Sequence, residues 1–287
     1  MEIGPKYDLD GEFKAAARRH QSKYRAQVLQ VGFNTYGNCL QEKDGRALLN
    51  YYPQLGVREA LRSRYPKYSA ARDANMLRSE HIPFNMIAPL IGLPELGADI
   101  VRNVFGVNCK RVERLEIEWA PKDRSDYLGD HTSFDTYLEV LDPDGRVVGI
   151  GVEVKYTEQG YPIGKSEASR VSDPNSTYWE TTERSGYFES AVTEEIASDD
   201  LRQIWRNHLL GLSMRIRGDI DEFVSITLYP GGNKHFDNAI ASYKRFLKPS
   251  TRPNVRGCRF EEFIEAIDGG EEVLAWKKYL SERYLVK

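Results

Sequence analysis

The chain has 287 residues, 40% of them apolar and 11% aromatic, with 40 Lys and Arg against 43 Asp and Glu. Such a length serves one elaborated domain or about two of ~150 residues, and its core needs no disulfide or metal staple. The composition excludes a disordered chain, and the net charge of −3 excludes a polycation that coats nucleic acid through bulk charge, though not a local basic face.

Three cysteines, Cys39, Cys109 and Cys258, are far apart and lack CxxC spacing. Neither a disulfide framework nor a zinc ribbon is expected, and a reducing compartment, the cytoplasm, follows. The N-terminus has no basic segment followed by an apolar one, and no run of ~18 apolar residues occurs. Neither a signal peptide nor a membrane span is expected.

In chain order, Phe13, Ala16, Ala17, Tyr24, Val28 and Val31 predict a helix over 12–31, with Lys14, Arg18, Arg19, Lys23 and Arg25 along another side. A short helix over 57–65 is stopped by Pro66. Between 58 and 78, six basic residues face two acidic ones. The stretch 79–106 is apolar and helical in tendency, but Pro83, Pro89 and Pro94 divide it. Strands are predicted at Arg111–Trp119, Ser133–Leu141 and Val147–Thr157. Residues 158–197, rich in Gly, Ser, Thr and Glu, read as a long loop of the kind that is functional or disordered. Asp199 or Asp200 caps a predicted helix over 200–217, whose apolar face is Leu201, Ile204, Trp205, Leu209, Leu212 and Ile216. A strand at Phe223–Tyr229 ends at Pro230-Gly231-Gly232. A helix at 236–247, a basic proline-containing linker, an amphipathic stretch at 259–267 and a helix at 271–284 complete the chain.

The residues around Asp142-Pro143-Asp144-Gly145 carry the chemistry. They predict a three-residue hairpin loop at 143–145 with Gly145 at positive φ, so that paired residues sum to 288. Phe134–Val154, Thr136–Val152, Leu138–Ile150 and Val140–Val148 then form one apolar face, and a slip of one residue would destroy it. The same register sets Asp135 across from Glu153 on the other face. Directly opposed like charges are destabilising, so a compensating group is required. Lys155, two residues on, points to the same face. Tyr137 opposes Gly151 and Glu139 opposes Gly149, and the two glycines are expected to leave open space beside the carboxylates. Two carboxylates and a lysine suit phosphodiester hydrolysis. Hard oxygen ligands hold Mg²⁺, the metal activates water, and the lysine orients that water or stabilises developing charge.

Asp135…Glu153-Val154-Lys155 resembles the D…(D/E)-x-K motif of the PD-(D/E)xK nuclease superfamily, which has the restriction-endonuclease-like fold. The predicted elements from 84–105 to 223–229 match that family's αβββαβ core, a mixed α/β central sheet flanked by helices, over about half the chain. Phe134 stands where the motif's proline would be. Ser79-Glu80-His81-Ile82-Pro83-Phe84-Asn85 is similar to a string in bacterial restriction-endonuclease-like families. The resemblance implies that Asp135, Glu153 and the Val154 carbonyl hold the metal and that Lys155 serves the nucleophilic water. It implies Glu80 as an acidic residue of the first helix, and Gln203 as the polar residue of the helix after the third strand. The expected protein is a bacterial Mg²⁺-dependent nuclease, with Mn²⁺ as a substitute metal. Its partner is nucleic acid, with DNA the favoured substrate and RNA left open as the alternative, and a homodimer would serve double-strand cleavage. A core over 79–235 would carry the insertion 158–197, an N-terminal helical, partly basic extension over 1–78 and a C-terminal helical appendage over 236–287. Rival readings are a non-catalytic nucleic-acid-binding module and a metal-dependent nucleotide phosphohydrolase.

Other candidates are thinner. His131, near Asp135, is placed at the mouth of the site, and His208 reads as a core histidine. Gly231-Gly232-Asn233-Lys234 follows a strand but lacks the P-loop pattern. Between 238 and 260 six basic residues occur with no acidic one, and six acidic residues follow in 261–272. The near-neutral total thus hides segregated charge.

Overall fold

The computed structural model describes residues 1–160 and 162–286. Helix α1 (Glu12–Tyr24) is followed by a short antiparallel pair, Phe33–Asn34 with Tyr36–Leu40. The prolines of 79–106 divide that stretch into short helical turns and helix α2 (Pro94–Asn103). Three antiparallel strands come next: β1 (Arg111–Trp119), β2 (Phe134–Leu141) and β3 (Val147–Val154). Helices α3 (Lys165–Ser172) and α4 (Thr177–Arg184) lead to the long helix α5 (Arg202–Arg217). Strand β4 (Glu222–Tyr229) then joins β3 in parallel. Helix α6 (His235–Lys244) crosses to β5 (Val255–Arg259), again parallel, and α7 (Phe260–Glu265) and α8 (Glu271–Tyr284) follow. The five strands stand in the sheet in sequence order, and α2 to β4 has the expected order α, β, β, β, α, β with α3 and α4 inserted before α5.

The hairpin register is the expected one. Thr136 pairs with Val152, Leu138 with Ile150 and Val140 with Val148, while Gly145 has φ +84° at the turn. These apolar residues are buried in one core together with residues of α2, α7 and α8. A second core on the opposite face holds the apolar side of α5 and α6.

Phe134 departs from expectation. It does not share the face of Thr136 and Leu138 but stacks with Trp119, Tyr137 and Phe223 in the second core. The cause is upstream, where Glu118 has φ +57°. That left-handed residue breaks the alternation of β1, so Trp119 leaves the face of Ile117 and its partner Phe134 goes with it. The two glycines depart as well, since the space above them is filled. A Cβ on Gly151 would lie 2.6 Å from the Phe134 ring, and one on Gly149 2.6 Å from Ile220. They admit side chains of the protein, not a ligand.

Two segments are more regular than their sequences indicate. The region 158–197 contains α3 and α4, and α4 packs through Tyr178 and Trp179 on Trp205 of α5. Helix α3 buries no residue, so it carries no apolar stripe to read. The basic linker before 259 contains β5, whose Val-Arg-Gly-Cys-Arg shows no simple alternation.

Helix α1 is tied to the sheet at the carboxyl end of β3. Gln21 donates to the Tyr156 hydroxyl at 2.8 Å, and Phe13 lies where a Cβ on Gly232 would be 2.4 Å from its ring. Close approach also sets α5 on the sheet, for a Cβ on Gly211 would lie 2.2 Å from Phe223. Gly211→Ala therefore overpacks this interface and is expected to lower stability by about 1–3 kcal/mol. An unchanged midpoint in urea denaturation would refute that reading of α5.

Candidate active site

Three carboxylates lie in a row across three neighbouring strands. Ile117–Thr136 and Trp119–Phe134 are paired, which sets Glu118 of β1 beside Asp135 of β2. Asp135 directly precedes Thr136, which pairs with Val152, and it lies close enough to Glu153 to feel its charge. Opposed residues have Cβ atoms about 4.5–5.5 Å apart, so the acids repel unless neutralised.

Glu153 is the best neutralised. The Lys155 ammonium is 2.7 Å from its Oε1, and Lys155 is only 8% exposed. From α5, Gln203 donates to the same oxygen and Asn207 donates to Oε2 at 2.6 Å. Gln203 and Asn207 are four residues apart and so share one helix face. Asp135 accepts the Val154 N–H at 2.7 Å, which seats its carboxylate against that peptide.

The electrostatics record the crowding. Burial, then the charges of Glu153 and Glu118, hold the Asp135 carboxyl well above the usual carboxylate range. Glu118 is pushed up to about 7, chiefly by burial and then by Glu153, against a lowering hydrogen bond from Tyr65. Burial would depress the Lys155 ammonium, but Glu153 and Asp135 outweigh it and raise its pKa. Two of the carboxyls therefore take up protons unusually readily, first because burial disfavours their charge and then because one ammonium does not balance the neighbouring carboxylates.

Glu80 stands further out. It lies in the single turn Ser79–His81, pairs with Arg78 at 3.0 Å and keeps 43% of its side chain exposed. Its charge reaches Glu118. Glu158, after β3, bonds the Ser79 amide at 2.9 Å and so joins the two segments. Asn233 of the Gly231–Lys234 turn donates to the carbonyls of Tyr156 and Glu158, at 3.1 and 3.0 Å. That turn is a brace for the loop after β3. His131 is exposed and bonded to Arg124. His208 is buried, bonded to the Tyr243 hydroxyl at 2.9 Å, and lowered by burial to about 3, as a core histidine should be. The three cysteines are free.

A cleft of about 530 Å³ opens beside Lys155 and Gln203, and a smaller hollow behind it reaches Glu153 and Asn207.

The match to a family model runs over residues 8–286 and is to the PD-(D/E)XK nuclease superfamily. The chain belongs to that superfamily. No match was found among curated proteins or among solved structures. Membership agrees with the restriction-endonuclease-like arrangement of the sheet and gives a nuclease in general terms, with nucleic acid as substrate. Among the described residues no single helix is long and apolar enough to cross a membrane.

Nucleases of this superfamily typically use divalent metals, and the donor set here fits one. Among the described residues, no three His, Cys, Asp or Glu side chains converge closely enough to hold an ion between them. Mg²⁺ does not require three, since it is commonly held by one or two carboxylates while keeping several waters. Asp135 and Glu153 supply two, and the surplus negative charge suits a cation.

Sequence reasoning passed over Glu118. Its position follows only from the β1–β2 register, which shifts at an irregularity between Val112 and Arg114, so counting along the strand misplaces it. Glu118 binds protons more tightly in the native chain than the ~4.3 of an unfolded glutamate allows. The native state thus holds the extra proton, and stability falls as pH rises from ~4.5 to ~7. Asp135 acts with the same sign. In chelator, Glu118→Gln is expected to be more stable than wild type at pH 8, by up to about 3 kcal/mol. Its melting temperature should also vary less between pH 5 and 8; a slope like that of wild type would refute this placement of Glu118.

Proposed function

We propose that this protein is a Mg²⁺-dependent nuclease that hydrolyses phosphodiester bonds in DNA, with Mn²⁺ able to replace Mg²⁺. The observation that carries the reading is the contact of Lys155 with Glu153, beside Asp135, at the edge of an open cleft. Opposing two half-buried carboxylates is destabilising, and a binding-only protein has no need of it.

When bound by Asp135, Glu153 and the Val154 carbonyl, the cation supplies Lewis acidity toward the phosphate and favours ionisation of water. The chain's own groups then have separable tasks. Lys155 holds the attacking water and offsets the negative charge that grows on the phosphate. Gln203 and Asn207 hold both oxygens of Glu153, so the carboxylate keeps its orientation as substrate enters. The Val154 N–H does the same for Asp135. Glu80, at the rim and paired with Arg78, belongs to the outer edge of this acidic group.

Lys155→Ala and Asp135→Ala are each expected to slow cleavage of plasmid and single-stranded DNA by ~100-fold or more, with circular dichroism unchanged. Full activity in both would remove the assignment. Nucleic-acid binding without cleavage by wild type in Mg²⁺ or Mn²⁺ would favour the non-catalytic module instead, and hydrolysis of mononucleotides alone the phosphohydrolase. Mg²⁺ should also raise the melting temperature of wild type at pH 8 through selective binding to the native state. Asp135→Asn should lose most of that rise.

A further inference from the structure

The cleft beside Lys155 is not confined to the catalytic strands. One of its walls is the start of α1, from Gly11 to Lys14. Past Lys14, Thr157 and Glu158 it continues into a second hollow of about 290 Å³ that shares those three residues. The second hollow is lined by Tyr7, Arg18, Tyr36 and Arg78. A groove therefore leads from the catalytic lysine to a patch where aromatic rings alternate with cations, and the patch comes from the first 78 residues.

The rings are held in place. The Arg18 guanidinium lies 5.6 Å from the Tyr7 ring centre and 5.0 Å from that of Tyr36. Arg18 is itself 8% exposed and fixed by donating to the Asp10 carboxylate and to Asn38 Oδ1 at 2.6 Å. The two rings meet edge to face at 5.6 Å, and Tyr7 is still 39% exposed. Lys14 is loosely placed, with its ammonium 3.8 Å from Asp10, so it can turn to a ligand at little cost. Arg78 shares its charge with Glu80 at 3.0 Å.

We propose that this groove takes one unpaired strand of nucleic acid. Lys14 receives a phosphate next to the one set at Lys155, and Tyr7 and Tyr36 stack on bases further along. The inference rests on the nuclease reading and narrows its substrate. Stacking on aromatic side chains tolerates every base but needs an uncovered base face, which an unpaired strand offers and a duplex does not. The two hollows are of the size that encloses small ligands, ~300–1,000 Å³ or less, and α1 walls one side. They suit nucleotides in single file.

The test measures binding of a short fluorescein-labelled single-stranded DNA, and of its duplex, by anisotropy in EDTA, where no cleavage occurs. The single strand is expected to bind about tenfold tighter than the duplex. Tyr7→Leu should weaken it about tenfold, and Tyr7→Phe, which keeps a ring, should restore it. Lys14→Gln should weaken it and reduce the slope of log affinity against log salt by about 0.7. Both residues are exposed at the surface, and circular dichroism checks that each variant is folded. Equal affinity for duplex and single strand, or unchanged binding in both Tyr7→Leu and Lys14→Gln, overturns the subsite. If wild type still cuts DNA in a Lys155-dependent way, the nuclease reading survives that result. Wild-type protein that neither binds nor cuts overturns both.

Discussion

Two carboxylates held opposite each other on neighbouring strands must be neutralised, and much of this fold is arranged around that requirement. Asp135 and Glu153 lie just past the last β2–β3 pair, Thr136–Val152, and each charge acts on the same site. Lys155 answers Glu153 with a charge, α5 answers it with two amides, and the Val154 peptide answers Asp135 with an N–H. Glu118 adds a third acid that these donors do not balance. A site with surplus negative charge at the bottom of a cleft is prepared for a cation and, with it, for a phosphate.

The position of that site is secured by packing some distance away. The left-handed conformation at Glu118 sends Trp119 and Phe134 into the second core, where they stack with Tyr137 and Phe223. The glycines of β3 make room for these rings and for Ile220, and Gly211 lets α5 settle on Phe223. Helix α5 thereby comes close enough for Gln203 and Asn207 to reach Glu153. The strain of one non-glycine residue at positive φ is thus coupled, through an aromatic layer, to the orientation of the Glu153 carboxylate.

The first 78 residues do more than extend the core. Gln21 and Phe13 fasten α1 across the end of the sheet, and the start of α1 becomes a wall of the catalytic cleft. The lining of that cleft therefore draws on widely separated parts of the chain.

The sequence by itself determined the hairpin. Asp-Pro-Asp-Gly and the mainly apolar face of Thr136–Val152, Leu138–Ile150 and Val140–Val148 favour a single register, and extending that register places Asp135, Glu153 and Lys155 together. The amphipathic stripe of α5 likewise put Gln203 on the polar side. These are local inferences, where turn chemistry and period decide the geometry. Tertiary structure alone decided the rest. The shifted register of β1 brought in Glu118, the left-handed residue moved Phe134 to the opposite face, and aromatic rings filled the space above Gly149 and Gly151. Helices α3 and α4, strand β5 and the wall formed by α1 were equally hidden. Each of these depends on contacts between segments distant in sequence, and the energies that fix such contacts leave no periodic trace in the residues that make them.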